Sequence, residues 1–344
     1  MDCLDEENGY RQSPIFQYAG GEAGIELIFG AGVTRIPDEL CYGTDVKLTV
    51  RFAAGSTCTE IGECAFQNCK KLTSIEIPAS VTKLGKAAFS GCLALEQIHF
   101  NATNMADGDG ASYGVLVFDR EASRTTADGL AVTVGANVKR IPAELFAGSP
   151  VTAVTFAADS VCTEIGERAF SNCSKLTSIE IPASVTHLGQ FAINNCRALE
   201  QIYFNATNMP DYEPENPYGW SVFTCSEPTA DALTLTVGAN VKRIPAKLFS
   251  GATITEVTFA AGSVCTEIGA EAFSLCAELA RITLPASLQT VGAGAFGVCE
   301  ALVRVDYLGT LATWQTGISF ANNTANPLYN SGCKLYINNQ EVTP

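Results

Sequence analysis

The chain has 344 residues, enough for two or three ordinary domains or one elongated array. Apolar residues make up 47% and charged residues 17%, which excludes a disordered chain and a charge-laced coiled coil. With Lys+Arg 21 against Asp+Glu 36 the net charge is −15, a surface that repels phosphate backbones and anionic lipid and so argues against nucleic-acid partners. No run approaches the roughly 18 apolar residues of a membrane-crossing helix, so no membrane insertion is expected.

Residues 1–24 are irregular and acidic at the start (Asp2, Asp5, Glu6, Glu7) and read as an N-terminal cap or tail. They show neither a basic nor an apolar leader region, so the chain reads as cytoplasmic or as trimmed of an export signal. From residue 25 self-similarity dominates. A long repeat of about 104 residues is marked by Cys58-Thr-Glu-Ile-Gly62, Cys162-Thr-Glu-Ile-Gly166 and Cys265-Thr-Glu-Ile-Gly269. The long repeats cover about 25–129, 130–232 and 233–310, and residues 311–344 read as a C-terminal cap to one solenoid over 25–340.

Within each long repeat, apolar-x-apolar pairs recur, starting at Leu27, Val50, Ile75 and Ile98 in the first copy. From Val132 to Val305 the steps are 22, 25, 23, 33, 22, 25 and 23 residues, so every fourth unit carries an insertion of roughly ten residues. In the unit from Leu72 to Cys92, Ile75 and Ile77 alternate with Ser74 and Glu76, the period of a short strand with one buried face. Pro78 ends the strand because it has no N–H to donate. Ala87-Ala88-Phe89 leading to Cys92 predicts one helical or 3₁₀ turn that drops Phe89 and Cys92 inward. One unit cannot bury its own apolar edge, whereas stacked units can. The expected fold is therefore β-rich α/β, a solenoid of about 13 coils. It has one parallel sheet, with short helical or 3₁₀ turns opposite and Phe66, Phe89, Phe170, Phe273 and Phe296 in its core.

Nine of the 14 cysteines return with the same repeat (Cys58, Cys162, Cys265; Cys69, Cys173, Cys276; Cys92, Cys196, Cys299), as expected of small free thiols filling the same inward slots. No zinc-type CxxC pair occurs, and no metal or other cofactor is expected.

The pattern LxxIxIPxSVTxLGxxAFxxCxxL, which fits residues 72–95 and, with Ile193 in place of the Phe, residues 176–199, resembles the leucine-rich repeat of BspA-type bacterial and protist surface proteins. The stretch from Tyr307 through Trp314 and Asn326-Pro327-Leu328 to Asn338 is similar to the C-terminal ending of such arrays. The resemblance implies a curved leucine-rich repeat solenoid, exported and displayed at the cell surface, that serves adhesion or protein recognition.

Chemistry is sparse. His99 and His187 do not recur and lie four coils apart, so neither a His dyad nor a nucleophile–His pair forms. Gly30-Ala31-Gly32 and its counterparts lack the lysine and helix of a phosphate loop. Glu60, Glu164 and Glu267 repeat with the framework, unlike one pair of catalytic carboxylates. Asn101 and Asn205 match the N-glycosylation acceptor as part of the repeat. No enzyme is expected.

Two surfaces depart from the framework. The outward sheet face carries Arg51, Glu76, His99, Glu180, Tyr203, Arg281 and Asp306 side by side at strand spacing. The insertion after Met209 carries Tyr212, Tyr218 and Trp220 on an acidic, Pro-containing loop, with Phe223 closing it as Phe118 closes the first insertion. Asp107, Asp109 and Asp211 lack the spacing of an EF-type calcium loop. The expected function is recognition of a protein or glycan at the cell surface or outside the cell. The alternative is a cytoplasmic assembly module of a larger protein. The oligomeric state is left open, with a monomer favoured.

Overall fold

A computed structural model describes residues 24–107, 117–118, 129–212, 222–225, 232–322, 325–330 and 332–343. The protein is a β-solenoid of about 11 turns, and it divides into two compact units, Met1–Leu176 and Thr177–Pro344.

In the first unit, Ile25–Phe29 pairs in parallel with Leu48–Phe52, and Ser74–Ile77, Gln97–Phe100, Leu130–Val134 and Val151–Phe156 follow one another as parallel neighbours. In the second, parallel pairing runs from Ser178–Ile181 through Gln201–Phe204, Thr234–Val237, Glu256–Phe259, Arg281–Leu284 and Arg304–Tyr307 to Lys334–Ile337. Gln340–Val342 then folds back antiparallel and covers the last edge. Apolar residues stand over apolar residues because the register is kept from strand to strand: Ile75 pairs with Ile98, and Ile98 with Val132. A bulge between Val151 and Ala153 interrupts it locally, and the pairing resumes with Ala153 opposite Ala131.

A second wall consists of two-residue strands such as Arg140–Ile141 and Glu164–Ile165, each placing its Ile in the core. The strands Gln97–Phe100 and Gln201–Phe204 are followed by no such short strand among the described residues, because the insertions begin there. The final strand belongs to the cap. The turns number about 11, slightly fewer than the 13 expected.

The third wall corrects an expectation. The Ala-Ala-Phe segments are not helical; they are runs of turns whose residues visit the left-handed region twice, four positions apart. Glu144 and Gly148 have φ of 59° and 66°, and Lys247 and Gly251 have 59° and 69°. This turns alternate N–H groups toward the following coil. Glu144, Phe146 and Gly148 donate to the carbonyls of Glu167, Ala169 and Ser171 at 2.8, 2.9 and 2.7 Å. A helix would keep those bonds inside one coil and leave the neighbour unpaired; the ladder satisfies both. Among the described residues the helices are Leu311–Thr316, capped by Thr310, and the 3₁₀ turn Pro327–Tyr329.

This ladder sets the pitch for a stack of rings. In the first unit Phe66, Phe89, Phe118, Phe146 and Phe170 lie face to face, with centroids 5.3, 5.2, 5.3 and 5.3 Å apart. In the second, Phe223, Phe249, Phe273 and Phe296 do the same at 5.2, 5.5 and 5.8 Å. Each insertion thus returns its own ring, Phe118 or Phe223, to the column.

Twelve cysteines among the described residues are free thiols, eleven of them buried. They are not mere fillers. Cys173, Cys276 and Cys299 donate S–H to the carbonyls of Phe146, Phe249 and Phe273, each at 3.1 Å. Cys64 departs from the expectation of free thiols throughout, being disulfide-bonded.

Candidate functional site

The strand alternation that buries the Ile/Val column presents the other residues outward. On the first unit Glu76, His99 and Thr133 stand in register on adjacent strands, and Ile28 pairs with Arg51 on the separate strand pair. Arg51 Nε meets Glu26 Oε1 at 2.6 Å in the open. Glu76 Oε1 accepts the amide of Asn101 at 3.0 Å. A β-carbon on Gly135 would come within 2.2 Å of Asn101 Oδ1, so this asparagine and this glycine are paired requirements.

On the second unit Glu180, Tyr203, Thr236 and Thr258 are successive register partners. Asn205 repeats the Asn101 arrangement, donating to Glu180 Oε1 at 2.8 Å. Gln201 donates to the Thr236 hydroxyl at 3.0 Å, and the hydroxyls of Thr236 and Thr258 lie 3.2 Å apart. Tyr203 is 46% exposed, an aromatic ring on an otherwise polar stretch.

Farther along the same unit Arg281, Arg304 and Lys334 are register partners, with Asp306 two residues beyond Arg304 on the same strand. Asp306 stands on the outward row, in register with Thr283 and Tyr336, but is only 8% exposed because arginines cover it. Arg281 Nε reaches its Oδ2 at 2.7 Å, and Arg304 grips both oxygens at 2.8 and 2.7 Å. Burial pushes this carboxyl up, and the two guanidiniums outweigh burial and hold it below the usual carboxylate range. Arg304 also lies over the Tyr336 ring, 4.0 Å from its centroid.

The insertions are pinned at their bases by a device that the sequence patterns did not reveal. Asp107 Oδ1 accepts the Ala143 N–H at 2.6 Å and Arg140 Nη2 at 2.8 Å, and Arg140 also holds Glu164 at 2.9 Å. Asp211, Arg243, Ala246 and Glu267 repeat this arrangement. In the first coils, which have no insertion, Asp38 accepts from Arg35 and the Glu63 N–H. The recurring Arg-Ile-Pro at 35, 140 and 243 is the available signal. Asp107 and Asp211 are therefore committed to arginines, and Glu60, Glu164 and Glu267 are framework partners of the same arginine row. Tyr212 is tied by its N–H to the Ala246 carbonyl at 3.0 Å. Asp109, Tyr218 and Trp220 lie outside the described residues.

Among the described residues no group of three His, Cys, Asp or Glu side chains is placed to hold a metal, and no helix is long and apolar enough to cross a membrane. A cleft of about 90 Å³ between Ile193, Phe223, Leu233 and Glu278 is too small for a substrate of ordinary size. What the arrangement offers is an open, polar face on strands held at fixed spacing.

The profile of the BspA type leucine rich repeat region matches residues 34–111, 130–213 and 228–326, in 6 copies. No curated protein matches the sequence. Among solved structures, a leucine rich cell surface protein from Faecalibacterium prausnitzii is similar at 22% identity, over 86% of this chain and 82% of that one, with a TM-score of 0.34. A leucine-rich repeat protein from Bacteroides ovatus is similar at 20% identity, over 91% and 83%, with a TM-score of 0.41. The pneumococcal vaccine antigen PcpA is similar at 20% identity, over 91% and 62%, with a TM-score of 0.30.

Proposed function

The chain belongs to the BspA-type leucine-rich repeat family, and from that premise we propose that it is a non-enzymatic recognition scaffold of the cell surface, binding a protein or glycan through its outward sheet face. One observation carries this reading. The coils repeat their buried residues almost without change, while the outward residue changes from coil to coil: Glu76, His99 and Thr133 on one unit, and Glu180, Tyr203 and Thr236 on the other, where Tyr203 takes the place of His99. Strands fixed by ladders on both sides present these groups already ordered, so little conformational freedom is lost on binding.

The experiment is an array of extracellular proteins and glycans probed with the full chain and with two face variants, Glu76→Lys and Tyr203→Ala. The expected result is retention on particular spots, lost in at least one variant whose melting temperature is unchanged. Retention that survives both variants, or no retention on any spot, overturns the reading.

A further inference from the structure

The outward face of the second unit is chemically graded along the strand order. Tyr203 offers an exposed ring at one end. Thr236 and Thr258 follow with a row of hydroxyls, and Arg281, Arg304 and Lys334 stand in register on three adjacent strands beyond them. We propose that this face binds an oligosaccharide ending in a carboxylated sugar, the acid on the Arg281–Arg304–Lys334 row and the neutral sugars over the threonines toward Tyr203. The inference rests on the scaffold reading and specifies its ligand.

Three arguments converge on this. The first is charge. A chain of net charge −15 repels acids at long range, so an acidic group is held only where that repulsion is cancelled locally and oriented donors remain. The three cations here face three carboxylates: Glu256, 3.5 Å from Arg281; the buried Asp306; and Glu341, 2.9 Å from Lys334. The patch is thus neutral in an otherwise acidic protein. Donors remain on it. Arg281 commits Nε and Nη1, and Arg304 commits Nε and Nη2. One guanidinium nitrogen of each has no partner among the described residues. Asp306 fixes both guanidiniums in place, so a planar carboxylate meets donors that are already oriented.

The second is length. Tyr203 and Arg281 lie three strand steps apart and two residues offset along the strand, about 16 Å at the usual spacings, a distance that a trisaccharide spans. The third is the texture of the face. A protein partner's aromatic or aliphatic anchors need apolar pockets, and the ground between Tyr203 and Arg281 offers hydroxyls, an amide and the Glu256 carboxylate paired with Arg281 instead. Hydroxyl-bearing rings match that surface, with Tyr203 as an amphipathic platform.

The test is titration of the full chain with sialyllactose, with lactose and triglutamate as controls, followed by calorimetry or ligand-observed NMR. Sialyllactose is expected to bind at least about tenfold more tightly than either control, as befits hydrogen bonds to a charged group. Arg281→Gln, Lys334→Gln and Tyr203→Ala are each expected to weaken binding. Arg281→Gln uncovers Asp306 and can destabilise the fold, so Lys334→Gln and Tyr203→Ala, both at exposed positions, decide the matter with unchanged melting temperatures. Equal binding of lactose, equal binding of triglutamate, or no binding of sialyllactose overturns the proposal. If sialyllactose fails while Tyr203→Ala still abolishes retention on an arrayed protein, this inference falls and the scaffold reading stands. If the face variants affect neither, both fall.

Discussion

The carboxylate Oδ1 of Asp211 sits 2.8 Å from the backbone nitrogen of Ala246, 35 residues later, and accepts its N–H. Arg243 holds the same oxygen. Asp107 and Ala143 form the same pair in the first unit at 2.6 Å. At Asp211 the Ala246 N–H is the leading cause that keeps the carboxyl below its ordinary range. At Asp107 burial pushes the other way and is outweighed by Arg140 and Ala143.

A carboxyl with a depressed folded pKa contributes stability that is present above the ordinary carboxylate range, about pH 4, and is lost as pH falls through the folded value. The wild type is therefore expected to lose stability progressively below about pH 4. Asp211→Asn should cost about 1 kcal/mol at pH 7, a modest figure because the site is half exposed and screened. The cost should vanish near pH 2. Urea unfolding at both pH values checks this, and an equal cost at each would show that the charge is irrelevant.

The ring column gives a sharper expectation. Phe146 has stacked neighbours on both sides at 5.3 Å and is fully buried. Adjacent coils are tied by backbone ladders and cannot close the gap, so Phe146→Ala should cost about 3–5 kcal/mol. Phe146→Leu should cost much less. Chemical denaturation of the two variants tests the column, and a Phe146→Ala loss below about 1 kcal/mol would exclude it as a stabilising element.

Val298 has φ of 59° and is 56% exposed. A β-branched residue in the left-handed region is strained, and the equivalent turn positions are held by Asn68, Asn172 and Asn195 at similar angles. Val298→Asn should raise stability by about 1 kcal/mol and the melting temperature with it. A fall would mean that the valine side chain has contacts which outweigh its backbone strain.

Thiol reactivity should follow burial. The Cys299 thiol is pushed up to about 12, chiefly by burial, and Cys162 and Cys265 to about 11 by the same cause. At pH 8 a thiol that titrates near 12, as Cys299 does, is almost entirely protonated and unreactive. Cys333, the half-buried one among the described free thiols, should be alkylated ahead of the other described cysteines by iodoacetamide in the native protein, with Cys162, Cys265 and Cys299 labelled only on unfolding. Peptide mass spectrometry reads the order, and native labelling of Cys299 ahead of Cys333 would contradict the buried S–H ladder.

Much of the fold was legible because it is written many times. The strand at Ile75–Ile77, its stop at Pro78 and its return in the other coils are local patterns, and repetition turns a weak local signal into a strong one. The segments around Phe89 and Phe146 suggest helical turns, since their Ala-rich composition favours helix in isolation, yet they form none. The left-handed residues there are set by hydrogen bonds to the next coil, which composition does not carry. The candidate face was legible as a row of positions but not as chemistry: Glu76 and Glu180 are engaged by asparagines, and Asp306 is buried under two arginines.

The sequence by itself determined the period, the parallel strand face and the residues that fill the core, because these depend on alternation and spacing within one unit. Only the tertiary structure decided which groups meet across units: Asp211 with Ala246, Cys299 with the Phe273 carbonyl, Asp306 with Arg281 and Arg304. Those partners stand between 2 and 35 residues apart along the chain. Except within one strand, they come within hydrogen-bonding distance only when one coil is laid on the next, so their pairing is a property of the stack rather than of any segment in it.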